Sequence, residues 1–241
     1  MSPTPTPTLV LLHGTRMNAG FWRDYPALLP GVRVVTPDLP GHGPRGSEEF
    51  TWQAALATVE SALPPAGPVV LAGHSLGGYV AMSYAAAQPT RLAGLGLVGA
   101  TGVPAGAGAA VYRGFAQLVP LVGAERVARV ADAVMRRLAG GRDIGQVTDD
   151  GQGYAAMPAA WSAVMAQCGP HLLGGLDIPV LLLNGGLDQM RLGVRAYAAA
   201  CPGACVVTVP RATHFLPLTH PEVCARHLRG LLDRAAQTCR G

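Results

Sequence analysis

The feature that most constrains this chain is a short apolar segment that leads into a turn rich in glycine. Residues 69–72 predict a buried strand, and Gly73, Ser75 and Gly77 form a Gly-x-Ser-x-Gly motif directly after it, followed by helix-forming residues at 79–87. A serine between a strand and a helix adopts a strained backbone, and small residues two positions away let the two elements pass closely. The pattern indicates a nucleophile elbow, with the Ser75 hydroxyl at the positive end of the helix.

Strand and helix signals alternate along most of the chain, and this predicts an α/β fold. We expect a mostly parallel sheet that helices cover on both faces. Residues 101–175 lack strand signals and predict an inserted helical segment, with helices at 109–119, 125–138 and 158–167. The predicted strands are 9–12, 32–36, 69–72, 92–98, 178–183 and 205–209, and the other predicted helices are 21–29, 51–63, 79–87, 191–200 and 221–236.

Composition favours a well-packed core and excludes several classes of protein. Of 241 residues, 49% are hydrophobic and 13% charged, which argues against disorder. The net charge of +4 comes from scattered arginines without a basic run, so we expect no nucleic-acid partner. No apolar stretch is long enough for a membrane span, residues 1–8 lack the features of a secretion signal, and a cytoplasmic protein is expected. The five cysteines are an odd number without further metal ligands nearby, so we expect buried thiols and no metal.

A serine hydroxyl becomes a strong nucleophile only when a base removes its proton and a carboxylate orients that base. Among the seven histidines, His214 follows the last predicted strand, whereas His220 stands at the start of the final helix and is expected to be structural. Asp188 follows the strand at 178–183, and residues 98–101, after the fourth strand, include no acid. These positions favour Asp188 and His214 as partners of Ser75.

Taken together, the motifs resemble those of the α/β-hydrolase superfamily over nearly the whole chain. They are Leu11-Leu12-His13-Gly14, Pro37-Asp38-Leu39-Pro40-Gly41-His42-Gly43, Gly73-His74-Ser75-Leu76-Gly77-Gly78, the stretch from Gly185 to Asp188, and Thr213-His214-Phe215 before Pro221-Glu222. The order of serine, acid and histidine along the chain is also that of the superfamily.

The resemblance implies a catalytic triad of Ser75 as nucleophile, Asp188 as acid and His214 as base. It implies that the backbone N–H groups of Thr15 and Leu76 form the oxyanion hole, and that no cofactor or metal takes part. It also implies a core of residues 1–100 and 176–241 with a helical cap at 101–175. The superfamily usually begins with an antiparallel strand pair, for which the eight residues before Leu9 are too few, so a truncated sheet of about six strands is expected.

The candidate substrate-binding residues are Arg16, Met135, Trp161 and Phe215. Arg16 follows Thr15, and the hypothesis is that its guanidinium binds a substrate carboxylate or another anion. The cap residues Met135, Met157, Trp161 and Met165 are ordinary core types, but some of them are expected to line an apolar acyl or alcohol pocket. Several other polar or aromatic residues near these motifs are expected to be structural: Asp38 and His42 in their loop, His74 in the elbow and Trp22 in the core.

The resulting hypothesis is a serine hydrolase that cleaves a small carboxylic ester or a related acyl compound. Lactonase, thioesterase, carbon–carbon hydrolase, cofactor-free perhydrolase and acyltransferase activities stay compatible with the same residues. An alternative of another class is a ligand-binding receptor that turns its ligand over slowly. The sequence leaves the oligomeric state and the natural substrate open.

Overall fold

The computed structural model describes residues 7–104, 147 and 152–238 of the chain. Within these residues a six-stranded sheet has the order β2-β1-β3-β4-β5-β6, and every neighbouring pair is parallel. This arrangement confirms the predicted α/β class and its parallel sheet. The strands are β1 (Thr8–Leu12), β2 (Val34–Val35), β3 (Val69–His74), β4 (Gly94–Val98), β5 (Val180–Gly185) and β6 (Cys205–Val209).

Helices flank the sheet, and their starts follow from local chemistry. Thr51 caps the second helix, since its Oγ1 accepts a hydrogen bond from Ala54 N at 3.1 Å. None of the helices in the described part of the chain combines the length and apolar character needed to cross a membrane. The α-helices are α1 (Tyr25–Leu28), α2 (Trp52–Ala62), α3 (Leu76–Ala87), α4 (Gln152–Gln167), α5 (Val194–Ala200), α6 (Leu216–Thr219) and α7 (Pro221–Thr238).

Each face of the sheet contributes to a separate hydrophobic core. Side chains alternate across a strand, so in β3 Val69 and Leu71 join one core while Val70 and Ala72 join the other. The first core packs against α2, α3 and α4, and the second packs against α1 and α7. The four central strands β1, β3, β4 and β5 are therefore buried on both faces, as is typical of parallel sheets.

Two predicted helices are divided in the structure. Residues 21–29 were expected to form one helix, but a 3₁₀ turn covers Ala19–Trp22 and α1 covers only Tyr25–Leu28. Pro26 has no N–H to donate to the carbonyl of Trp22, so a continuous helix would lose that bond. The predicted helix at 191–200 likewise divides into a 3₁₀ helix, Gln189–Gly193, and α5.

The second strand is shorter than predicted. Residues 32–36 were expected to be extended, yet only Val34–Val35 pair with the sheet. Among the described strands β2 lies at the edge of the sheet, where it pairs with β1 alone, and Pro37 follows it. An edge strand gains hydrogen bonds on one side only, and this limits how far the pairing extends.

Most of the predicted cap lies outside the described residues. This is so for the helices expected at 109–119 and 125–138, and for Met135. The helix expected at 158–167 is present as α4, which begins earlier, at Gln152, and contains Pro158 in its interior. The division into a core and a cap stays a prediction.

Candidate active site

Ser75 lies in a sharp turn between β3 and α3. Its backbone has a positive φ, with φ 52° and ψ −119°, a conformation that residues other than glycine rarely adopt. The elements are so close that a Cβ at Gly73 would lie 2.3 Å from Gly77 O, and one at Gly77 would lie 2.5 Å from His13 O. The glycine spacing of the motif is therefore a steric requirement of the turn, as the sequence predicts.

Asp188 and His214 form a hydrogen-bonded pair. Nδ1 of His214 lies 3.0 Å from each carboxylate oxygen of Asp188, and Met190 N donates to Asp188 Oδ1 at 2.9 Å. Burial acts to raise the pKa of Asp188, but the hydrogen bond and charge of His214, with the Met190 N–H, outweigh it and lower that pKa below its usual value. The carboxylate is therefore held in its charged form and accepts from Nδ1–H.

The strand ends bring this pair next to the elbow. Ser75 N donates to Val98 O at 3.0 Å, which joins the elbow to the end of β4. The following residue, Gly99, lies against the pair, since a Cβ there would be 3.0 Å from Asp188 Oδ2 and 3.1 Å from His214 Nδ1. His74, next to Ser75, contacts His214 directly. The segments that carry Ser75, Asp188 and His214 thus lie next to one another at the C-terminal edge of the sheet, where ligands bind in such folds.

We expect Gly99→Ala to disturb the Asp188–His214 pair and to lower kcat by roughly 100-fold, the effect of a misplacement of about 1 Å. Gly31→Ala is the matched control, because Gly31 also has a positive φ, 77° against 57° for Gly99, but nothing lies within 4 Å of its Cβ position. Steady-state kinetics and melting temperatures of both variants separate the effect of contact from that of backbone strain. Equal kcat values in the two variants would contradict the expectation.

The loop after β1 forms a turn beside the elbow. Met17 N donates to Gly14 O at 3.3 Å, and Arg16 has φ 68°, so Thr15 and Arg16 are the central residues of a turn with a left-handed third position. Gly14 packs against the elbow, since a Cβ there would lie 3.2 Å from Ser75 Cβ. Leu76 begins α3, and the N–H groups of a first helical turn have no partner within their own helix. The structure thus brings the Thr15 loop to the elbow.

The remaining polar residues of these motifs brace loops, as expected for Asp38 and His42. His13 donates from Nδ1 to Gly14 O at 2.9 Å and accepts at Nε2 from Leu39 N at 2.9 Å. Burial, with His42 close by, lowers the pKa of His13 to about 3, so its ring is neutral. Asp38 Oδ1 accepts from Ala19 N, and His42 Nδ1 donates to Pro40 O at 2.9 Å.

An apolar cavity of about 360 Å³ lies near Asp188. It includes Tyr79, which is one helical turn after Ser75, and Met190, whose N–H bonds to Asp188. Trp161 and Met165 of α4 also line it, and their contact with an acyl or alcohol group stays a prediction. The other lining residues are Gly102, Val103, Pro104, Gln189, Leu192 and Gly193.

Phe215 and Trp22 lie elsewhere. Phe215 is buried in the core that packs on α7, with its ring centroid 6.1 Å from that of His214, and it is not among the residues that line the apolar cavity. Trp22 is fully buried, as the predicted core role requires. A substrate contact of Phe215 stays a prediction.

A hydrogen-bond network that the sequence analysis missed fixes the segment after β4. Thr101 Oγ1 lies within bonding distance of Asn184 Oδ1 (2.9 Å) and of Met190 O (3.0 Å). The hydroxyls of Tyr79 and Tyr197 both donate to Gly102 O, at 2.6 and 3.1 Å. The sequence gives only a weak indication of this network. Thr101 follows the buried strand β4, and Asn184 lies near the end of the adjacent buried strand β5.

The cysteines that the structure describes form no disulfide. Cys168, Cys201, Cys205 and Cys224 are free thiols, and all but Cys205 are buried. Within residues 7–104, 147 and 152–238, no group of three or more His, Cys, Asp or Glu side chains is arranged to hold a metal ion. Cys239 lies outside the described residues.

Comparison with known proteins relates both the sequence and the fold to hydrolases. The alpha/beta hydrolase family model matches residues 9–227. The pimeloyl-[acyl-carrier protein] methyl ester esterase of Aromatoleum aromaticum is 32% identical over 91% of this chain and 95% of its own. The protein of the same name from Neisseria meningitidis is 29% identical over 96% of this chain and 95% of its own. A solved structure of a thermophilic esterase from Thermogutta terrifontis superposes with a TM-score of 0.75 at 28% identity, over 97% of this chain and 92% of that chain.

Proposed function

This chain belongs to the alpha/beta hydrolase family, and we propose that it hydrolyses carboxylic esters through an acyl-enzyme on Ser75. The observation that carries the proposal is the Asp188 carboxylate at 3.0 Å from His214 Nδ1, next to a serine with a strained backbone. A carboxylate in this place holds the neutral imidazole in the tautomer with a proton on Nδ1. Nε2 is then the basic nitrogen, as proton transfer from a serine requires.

In the first half of the reaction, Ser75 Oγ attacks the ester carbonyl carbon while its proton passes to His214 Nε2. The C=O electron pair moves to oxygen, and a tetrahedral intermediate forms. When the intermediate collapses, the bond to the alcohol oxygen breaks and His214 returns its proton to the leaving alcohol. Asp188 stabilises the imidazolium that exists between these two proton transfers.

We assign the oxyanion hole to the backbone N–H groups of Thr15 and Leu76. Leu76 begins the helix that follows Ser75, so its N–H has no acceptor within the helix. This N–H group lies at the positive end of the helix dipole. Thr15 is in the turn against the elbow. Donors fixed before the reaction stabilise the developing negative charge without reorganisation.

In the second half, water replaces the alcohol. His214 Nε2 takes a proton from the water as its oxygen attacks the acyl carbon, and then returns a proton to Ser75 Oγ as the acyl bond breaks. The products are a carboxylic acid and the regenerated enzyme. No step uses a redox reaction or an additional co-substrate.

The relatives support a substrate class. Two of them, matched over more than nine-tenths of both chains, are named as pimeloyl-[acyl-carrier protein] methyl ester esterases. The apolar cavity beside Tyr79 and Met190 suits an uncharged hydrocarbon part of an ester. We therefore propose that the natural substrate is a methyl ester of an acyl chain. The methyl ester of a pimeloyl chain on acyl-carrier protein is the first candidate to assay.

The function is tested with a fluorophosphonate probe and with p-nitrophenyl acetate. We expect covalent labelling of Ser75, located by peptide mass spectrometry, and many turnovers of the ester per enzyme, with an initial burst where deacylation is slow. Labelling without multiple turnover would instead support the slowly acting receptor. No labelling and no turnover would refute the proposal.

Arg16 is proposed to bind an anionic group of the substrate. Its side chain is half-buried in the turn next to Thr15. If the guanidinium binds a carboxylate, Arg16→Gln removes a charge-assisted hydrogen bond of about 1.5–3 kcal/mol, and kcat/KM falls by roughly 10- to 100-fold on acidic esters alone. The exposed Arg33 supplies the control Arg33→Gln. Equal losses on acidic and neutral esters of the same length would remove this role.

A further inference from the structure

The side chain of His74 has a defined place beside the candidate active site. His74 is the last residue of β3 and is fully buried. Its Nε2 lies 2.8 Å from the backbone carbonyl oxygen of His214, across 140 residues of sequence, and the two rings have centroids 4.6 Å apart. The residue before Ser75 therefore holds the main chain of the residue we assign as its base.

The bond to His214 sets the protonation of the His74 ring. A carbonyl oxygen only accepts, so Nε2 must carry the hydrogen. Burial, together with the nearby His214 ring, lowers the pKa of His74 to about 3, and the ring is neutral at the pH at which esterases are assayed. A neutral ring donates to His214 without opposing the positive charge that forms there during the reaction.

The His74 ring also contacts two residues that flank the Thr15 turn, Phe21 and Gly14. Phe21 stacks on it, with centroids 4.8 Å apart and an interplanar angle of 28°. Gly14 is so close that a Cβ there would lie 2.8 Å from His74 Nδ1. Among the described residues, no group donates a hydrogen bond to Nδ1. One neutral imidazole, on the residue directly before Ser75, thus contacts both the residues that flank the Thr15 turn and His214.

We propose that His74 is a positioning residue, whose Nε2–H holds the His214 main chain so that the His214 imidazole keeps its alignment with Asp188 and Ser75. This inference rests on the proposed function of Ser75 and His214. The competing explanation is that the His74 ring merely fills space between Phe21 and His214. The two explanations differ in which part of the ring matters: the donor on Nε2 or the flat apolar surface.

Two substitutions separate these parts. His74→Phe keeps a flat ring against Phe21 but removes the donor, whereas His74→Gln loses the ring but can place an amide N–H near the Nε2 position. For His74→Phe we expect kcat to fall by roughly 10- to 100-fold with little change in KM, since the base is displaced while the substrate pocket is not. For His74→Gln we expect most of kcat to return. The melting temperature should follow packing instead, and be higher in His74→Phe than in His74→Gln.

The outcomes are read against Ser75→Ala in the same assay, with p-nitrophenyl acetate as substrate. A higher kcat in His74→Gln together with a higher melting temperature in His74→Phe would support the positioning role. If kcat of His74→Phe equals that of the wild type, or if kcat follows the melting temperature in both variants, the inference is overturned. If Ser75→Ala keeps full activity, the proposed function itself fails, whatever the His74 variants do.

Discussion

Ser75→Ala is expected to lower kcat by roughly 10⁴-fold or more, because removal of the nucleophile of a triad leaves only binding and oxyanion stabilisation. The loss should appear in kcat and in labelling by the fluorophosphonate probe, whereas KM should change little. The fold should persist, since Ser75 makes its bond to β4 through the backbone N–H, which alanine keeps. Ester hydrolysis is measured at enzyme concentrations that span several powers of ten, so that a rate lowered roughly 10⁴-fold can still be detected.

The matched control for this experiment is Ser83→Ala. Ser83 is on the same helix, α3, two turns beyond Ser75, and its Oγ lies 3.6 Å from the sulfur of Cys168. We expect full labelling and nearly unchanged kcat in this variant. A Ser75→Ala protein that still forms an acyl-enzyme would show that another residue is the nucleophile.

The parts of the site that were predicted from sequence depend on local geometry. The strained turn needs glycine on both sides of Ser75, and the structure shows Gly73 and Gly77 in backbone contacts that no side chain could occupy. The six apolar strand segments were also identified, and in β1, β3, β4 and β5 burial on both faces leaves a continuous apolar run. Local steric rules of this kind are present in a single sequence.

Other features depend on tertiary register and could not be predicted. The contact of His74 with the His214 carbonyl joins residues 140 positions apart, and it exists because β3 ends beside the loop that follows β6. Gly99 is constrained by two side chains from other segments, Asp188 and His214. The helix expected at 21–29 was wrong because the missing N–H of Pro26 outweighed the helical spacing of its apolar residues.

The choice of the base among the histidines follows from what each ring already binds. His13 uses both nitrogens on backbone groups of Gly14 and Leu39, and His74 donates from Nε2 to a backbone carbonyl. His220 Nδ1 lies 2.9 Å from Thr219 Oγ1, at the start of α7. Of the rings in the described residues, His214 is the one whose nitrogen lies 3.0 Å from a buried carboxylate. This contact stabilises the protonated ring that a general base must become.

Asp188→Asn is expected to lower kcat by roughly 10⁴-fold, close to the effect of losing the nucleophile. An amide can turn its NH₂ group toward His214 Nδ1, and the ring would then carry its proton on Nε2, where it cannot accept one from Ser75. KM should be nearly unchanged, because the Asp188 side chain is buried and only 1% exposed. The pH–rate profile from pH 5 to 10 checks this, since hydroxide can partly replace the missing base and activity should recover at high pH. Loss of activity below tenfold would exclude Asp188 as the acid of the triad.

The stability of the same variant tests the charge of the carboxylate independently of catalysis. The pKa of Asp188 is lowered in the folded protein, so its contribution to stability is fully present above the unfolded-state pKa of about 4 and is lost as the pH falls through the folded-state pKa. We therefore expect the melting temperature of Asp188→Asn to lie furthest below that of the wild type near pH 7, and the difference to shrink in acid. Glu222→Gln serves as the control, since Glu222 is an exposed acid in the first turn of α7. A pH-independent difference for Asp188→Asn would mean that the pair is held by packing and hydrogen bonding, and that the charge of Asp188 contributes nothing to the fold.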